Sequence, residues 1–486
     1  MSERSSGILM HISSFPNEWG KGDFGPEAYR FVDWLSVTKQ SLWQILPLTF
    51  PDDTGSPYTS LSANAIFTGY VSPEMLKTHG YLKDSEWQAI LSNGKNVKAE
   101  SLAAAFVNWK NKENKSDFEH FCQEHDYWLH DAALFFSMHD KYPGTWYDDF
   151  PKALKDREEK AISKWEKDES EAILKFKFDQ YILYSQWAEL KAYANDKGIR
   201  VIGDIPIFIS GDSSDVWAHR NLFKLDKKGY PLVWTGVPPD LFTKTGQLWA
   251  QPHYDWNAMR EDDFNWWVER TRVGKVHADI IRIDHFRGFC AAYEVEYGAA
   301  TAEKGEWVDG PRSEIFRVLH ERIPDLYIIA EDLGVITPDV TALRKEFRYP
   351  GMKILQFAFD GGDDHDFLPK NYDPNDRFVV YTGTHDNNTV RGWYDHATKH
   401  EKQMLAHYCD PDPDTIAWSL IEMAFKSNAL WAVIPIQDLF GLDEKARMNL
   451  PGTTENNWIW QLDKFEPSKE LTEKLKKLTI ESGRSR

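Results

Sequence analysis

A chain of 486 residues is longer than an ordinary single domain yet suits one (β/α)8 barrel with insertions. Apolar residues make up 42% and charged residues 27%, and no stretch nears the ~18 consecutive apolar residues of a membrane-spanning helix, which argues against a membrane partner. The formal charge, 57 minus 76 or −19, is spread along the chain and argues against nucleic acid as a partner.

Eight short apolar runs alternate with helix-like stretches: 7–12, 42–48, 201–209, 280–283, 327–330, 352–359, 378–381 and 430–435. Such alternation predicts an α/β fold in which a parallel sheet closes into a (β/α)8 TIM barrel, residues 1–486 forming a single catalytic unit. The opening Met-Ser-Glu-Arg-Ser-Ser has no export signal, and three scattered cysteines make neither a disulfide framework nor a zinc site. A reducing cytosol is the expected compartment.

Gly20-Lys21-Gly22-Asp23-Phe24-Gly25 matches the G-x-G-x-x-G spacing, but seven residues including Pro16 separate it from the preceding strand. A dinucleotide fingerprint needs a tight strand-to-helix turn there, so no cofactor is predicted. About 150 residues separate the second and third runs, and 116–142 and 166–197 read as helical. Residues 51–170 are therefore expected to form an inserted, mainly helical subdomain. His120, His125 and His130 recur every five residues, which spreads them around a helix instead of aligning them on a metal. Gly198 marks the end of a long helix before the third strand, and residues 211–275 form a second, smaller insertion. Thr337-Pro338 and Asp412-Pro413 read as helix starts, and the tail after Lys464 as a surface helix, leaving no room for a C-terminal β-sandwich.

The informative residues are acids at strand ends. In Ile280-Ile281-Arg282-Ile283-Asp284, period-2 alternation sends Arg282 and Asp284 to one face and the isoleucines to the other. A cation there favours an ionised Asp284, which is what a carboxylate nucleophile needs. Glu331 ends the next strand, and Asp386 follows the seventh. All three lie at the C-terminal mouth, where barrel enzymes build their sites. Glycoside chemistry needs one carboxylate to attack the anomeric carbon and a second, kept protonated, to donate to the departing oxygen. Glu331 suits the second role if an apolar wall and the Asp284 charge raise its pKa.

Arg-Ile-Asp-His-Phe-Arg-Gly at 282–288, Ala-Glu-Asp-Leu-Gly at 330–334 and Thr-His-Asp-Asn at 384–387 resemble the signature regions of amylomaltase, the 4-α-glucanotransferase family of the α-amylase superfamily. The resemblance extends to Trp43–Leu48, Ser56-Pro57-Tyr58, Gly203-Asp204-Ile205-Pro206, Pro350–Lys353 and Ala446–Asn449. It implies retaining transfer of an α-1,4-glucan segment to another sugar, with Asp284 as nucleophile, Glu331 as acid/base and Asp386 as substrate-distorting partner. Arg282, His285 and His385 would support the nucleophile and the donor sugar, and Tyr58 would stack near the cleaved bond. Residues 241–251 resemble a loop over the cleft, with Trp249 and the adjoining Asp240 as glucan contacts. Maltooligosaccharides and α-1,4-glucans are the implied partners, with no cofactor and no metal. A hydrolytic α-amylase would use the same three acids, and a glucan-binding protein would need only the aromatics.

Overall fold

The computed structural model describes residues 3–239 and 244–485. Its centre is a ring of eight parallel strands: β1 (Ser5–Leu9), β2 (Leu42–Gln44), β3 (Arg200–Ile205), β4 (Ile280–Ile283), β5 (Ile328–Ala330), β6 (Gly351–Ile354), β7 (Phe378–Tyr381) and β8 (Trp431–Pro435). Each pairs with its neighbours in chain order except β5 with β6, and β8 pairs with β1. Every apolar run of the sequence contributes one strand.

The remaining seam, between β5 and β6, is held differently. Ala330 N–H donates to the Pro350 carbonyl at 2.9 Å, and the Asp332 carboxylate accepts from the Met352 N–H at 2.7 Å. Arg344 clamps that carboxylate at 3.0 Å while also holding Asp376 at 2.6 Å. A buried carboxylate thus takes the place of a ladder bond.

Alternation along the strands sorts side chains into two environments. Inward-facing Leu9, Leu42, Ile202, Ile280, Ile329, Met352, Val379 and Val433 fill the barrel interior. Higher up, Tyr381 Oη donates across the barrel to Gln44 Oε1 at 2.9 Å. Outward residues such as Ile281 and Ile283 pack under the helices. The apolar fill gives way to polar side chains only at the C-terminal mouth.

Between β2 and β3 lies a series of helices that includes Val97–Lys110, Asp126–His139 and the long Ser170–Asp196. That last helix ends where Gly198 takes a φ of +77°, and Trp187 anchors it by donating to the His277 carbonyl at 3.0 Å. Pro338–Glu346 starts after Thr337, as its sequence predicts. The helix after Asp412 does not start there. Asp412 makes a local turn by accepting from the Asp414 N–H, and Ile416–Lys426 begins a turn later.

A four-stranded antiparallel sheet, absent from the sequence reading, stands beside the mouth. It is built from two hairpins, Val233–Val237 with Gln247–Pro252 and Ala291–Glu296 with Gly305–Asp309, one on each side of β4 in the chain. The range 211–275 thus supplies half of this sheet together with the helix Asn265–His277, and 291–309 supplies the other half. The final helix, Lys469–Glu481, covers the first helix Pro26–Val37, with Trp34 Nε1 donating to Thr472 at 3.0 Å. Among the described residues no helix is long and apolar enough to cross a membrane.

Candidate active site

Strand register decides which side chains meet at the mouth. Asp204 on β3 pairs with Arg282 on β4, and Ile283 pairs with Ala330 on β5, so Asp284 and Glu331 follow as neighbours one residue further on. Arg282 Nη1 lies 2.8 and 2.6 Å from the two Asp204 oxygens, and its Nη2 lies 3.0 Å from Asp284 Oδ1. Tyr58 Oη completes the group by donating to Asp204 at 2.7 Å. The guanidinium is therefore divided between two carboxylates, which alternation along β4 alone does not reveal.

Glu331 is fixed by the backbone of the turns that follow β4 and β5. It accepts from the His285 N–H at 2.7 Å and from the Leu333 N–H at 2.9 Å. His285 reaches it by adopting a left-handed φ of 49°, a conformation uncommon for a side-chain-bearing residue. The turn that follows Asp284 thereby grips the carboxylate beside it.

Electrostatics separate the two acids. Burial pushes Asp284 up to about 7, against the pull of Arg282 and with the push of Asp204 and Asp386. Burial, then the Asp284 charge, pushes Glu331 up to about 8. Asp284 keeps 29% of its side-chain surface open to water and has the cation beside it, whereas Glu331 is enclosed. Burial thus outweighs the cation expected to keep Asp284 fully ionised, and when the pair holds a single proton the cation beside Asp284 and the enclosure of Glu331 favour its resting on Glu331. Burial also lowers His285 to about 3 and pulls His385 below its ordinary value, so both imidazoles are neutral.

Asp386 faces the pair from β7. Its side chain is 42% exposed and is oriented by Asn449 Nδ2 at 2.6 Å and His385 Nε2 at 3.3 Å. His385 in turn stacks on Tyr58, with centroids 5.1 Å apart and an interplanar angle of 12°. Trp458, at a φ of 62°, packs against both. Trp249 sits on the strand Gln247–Pro252, edge-on to His285 at 4.7 Å. Asp240 lies outside the described residues, as do residues 241–243 of the expected loop.

A family model described as 4-alpha-glucanotransferase matches residues 10–466. The chain belongs to this family. It is 40% identical to the 4-alpha-glucanotransferase of Clostridium butyricum over 98% of this chain and 100% of that one. The chloroplastic/amyloplastic 4-alpha-glucanotransferase of Arabidopsis thaliana is 42% identical over 95% of this chain and 82% of its own length. Among solved structures, amylomaltase from Streptococcus agalactiae in complex with acarbose superposes with a TM-score of 0.94 at 36% identity, covering both chains fully.

Within this glucanotransferase the sequence reading had assigned no role to Asp204, Arg447, Asn449 or Trp458. Arg447 donates to the Asp386 carbonyl at 2.7 Å and to the Asn449 carbonyl at 2.6 Å, so one residue ties the segment after β8 to the third acid. Asp204 and the 446–449 run stood in the quoted motifs, and a strand-end acid was the available signal for Asp204. Among the described residues no group of three or more His, Cys, Asp or Glu is disposed to hold a metal.

Proposed function

We propose that this glucanotransferase works by double displacement, with Asp284 attacking the anomeric carbon and Glu331 protonating the departing sugar. The observation that carries the reading is the proton asymmetry of the adjacent pair: Arg282 sits 3.0 Å from Asp284, and Glu331 has the higher pKa. Once the glycosyl-enzyme forms, Glu331 is a base and takes the proton of whichever hydroxyl arrives. Asp386, accessible and held by Asn449, grips the donor sugar's hydroxyls and favours its distorted ring.

Water competes for the same intermediate, so transfer prevails only where the acceptor side binds sugar and the cleft sheds solvent. Tyr58 and Trp249 supply the apolar surface for this, His385 contacts the sugar on the donor side, and His285 and Asp240 are further glucan contacts in this proposal. The substrates are maltooligosaccharides and longer α-1,4-glucans, a reading supported by the likeness to an amylomaltase solved with acarbose. A reducing compartment such as the cytosol suits the free Cys122, Cys290 and Cys409.

Maltotriose tests the proposal. The protein should yield glucose with maltopentaose and longer chains while reducing ends barely increase, and Asp284→Asn should lower the rate on the order of 10⁴-fold or more. Glucose and maltose appearing with reducing ends rising in step would mark a hydrolase and overturn the transfer mechanism.

A further inference from the structure

The turn that carries His385 and Asp386 begins where β7 ends and runs to the helix Val390–His396. The Asp386 side chain is 42% exposed and so takes its place from the backbone beneath it rather than from enclosure. Inside the turn, Asn387 Oδ1 accepts from the Thr384 N–H at 2.8 Å and from the Thr384 hydroxyl at 2.9 Å, which closes the tip on itself. A closed tip sets the shape of the turn but not where the turn stands over Asp284 and Glu331. That depends on its two stems.

Both stems end on one buried carboxylate. Asp438 follows β8 in the short helix Ile436–Leu439 and is 1% exposed. Its Oδ2 accepts from Thr382 Oγ1 at 2.6 Å and its Oδ1 from the Val390 N–H at 2.8 Å. Thr382 stands four residues before Asp386 and Val390 four after, and both are fully buried. Val390 opens its helix, so its N–H has no partner within that helix and is available to the carboxylate. Burial raises Asp438 only to about 6, so near neutral pH it is an anion that accepts through both oxygens at once. From the other side, Gln356 Nε2 donates to the Asn388 carbonyl at 2.8 Å. A Cβ at Gly383 would lie 2.5 Å from that nitrogen, so the turn rests directly against the residues that follow β6.

We infer that Asp438 is a positioning residue for Asp386, its carboxylate clamping the two stems of the turn so that the third acid meets the donor sugar at a fixed place. The inference rests on the part given to Asp386 in the double-displacement reading and adds the group that sets its position. Arg447 and Asn449 hold the acid at its own carbonyl and carboxylate, whereas Asp438 fixes the chain on either side of it. A group that must meet a distorted ring loses on the order of 10²-fold in rate when it is displaced by ~1 Å, so the clamp acts on the reaction without touching the sugar.

Three substitutions grade the clamp. Asp438→Ala removes both stem contacts and Thr382→Val removes one. Asp438→Asn keeps both, since an amide accepts from Val390 through its oxygen and donates to the Thr382 hydroxyl through its nitrogen. With maltotriose, Asp438→Ala should lower kcat on the order of 10²-fold with KM within about twofold, Thr382→Val about tenfold, and Asp438→Asn less than about threefold. A double-mutant cycle, run throughout with a glycosyl fluoride donor, ties the loss to Asp386: adding Asp438→Ala to Asp386→Asn should cost less than about twofold. Wild-type kcat in a folded Asp438→Ala, or its full loss repeated in the Asp386→Asn background, overturns the proposal. If Asp438→Ala does not melt cooperatively, Thr382→Val replaces it in both measurements, and the same two outcomes overturn the clamp. An Asp386→Asn variant that keeps wild-type turnover would instead sink the reading of Asp386 itself, so the two failures are distinguishable.

Discussion

Two buried arginines stand at opposite ends of the barrel and use the same side chain for different purposes. Arg282, at the mouth, is surrounded by acids: burial works against its charge, but Asp204 and Asp284 pair with it and hold its pKa above the ordinary value. Arg484, at the opposite end, pairs with no carboxylate among the described residues. It donates to the carbonyls of Ser5, Ala424, Phe425, Ser427, Ala429 and Leu430, and burial lowers its pKa to about 9. One guanidinium sets charge, and the other serves as a multidentate donor that ties the chain's last turn to the starts of β1 and β8.

Replacing each arginine by methionine separates these uses. Arg282→Met should reduce transfer by roughly 10²–10³-fold, because Asp284 loses the counter-charge that keeps it ionised and able to attack. It should also destabilise the fold by about 3–5 kcal/mol, since Asp204 is left buried and unpaired. Arg484→Met should cost a similar amount of stability, several carbonyls losing their donor, while turnover per folded molecule stays within about twofold. Thermal melts beside maltotriose assays below the transition measure both. A large loss of turnover in Arg484→Met at full folding would break the distinction.

The acidic end is also where stability depends on pH. Glu331 has an ordinary carboxylate pKa of 4.5 when unfolded and about 8 when folded. Between these values the unfolded state has released a proton that the native state keeps, so this group's contribution to stability falls as pH rises from about 4.5 to 8. Gln cannot titrate. Glu331→Gln should therefore match the wild type near pH 4 and exceed its stability near pH 8.5 by on the order of 5 kcal/mol. In activity, the wild type should lose rate above about 8 as Glu331 deprotonates, and a glycosyl fluoride donor, which needs less acid assistance, should weaken that limb. Urea titrations at the two pH values check the first outcome and pH–rate profiles the second. Arg484, which pairs with no carboxylate among the described residues, stays charged over this range and gives no such slope.

What the sequence discloses follows the range of the interactions. The eight strands were legible because each is a local apolar run, and Asp284, Glu331 and Asp386 because they end such runs. The division of Arg282 between two acids was not, since it depends on β3–β4 register across 78 residues. Nor was the antiparallel sheet, whose short strands come from both sides of β4 and whose outer strand is largely exposed, blurring any alternation. Asp412 looked like a helix cap because the same side chain that caps a helix also closes a local turn.

The smallest expected effect belongs to the third acid, which differs from both arginine clusters in being open to water. Asp386 cannot rely on burial for its orientation and takes it from His385 and from Asn449, whose side-chain amide lies 2.6 Å from Oδ1. Arg447 holds the backbone carbonyls of Asp386 and Asn449, so deleting the Asn449 amide leaves the local chain path intact while freeing one carboxylate oxygen. Water replaces the lost donor at this exposed site, so stability should change by less than about 0.5 kcal/mol. The catalytic loss should be larger, because a carboxylate free to rotate grips the distorted donor ring less well than the relaxed one. Asn449→Ala is expected to lower kcat/KM for maltotriose about tenfold, mostly through kcat. Asn449→Asp, which sets a second negative charge against Asp386, should lower it further at pH 7 and recover part of the loss at pH 5. Unchanged kcat/KM in both variants would mean that His385 alone orients Asp386.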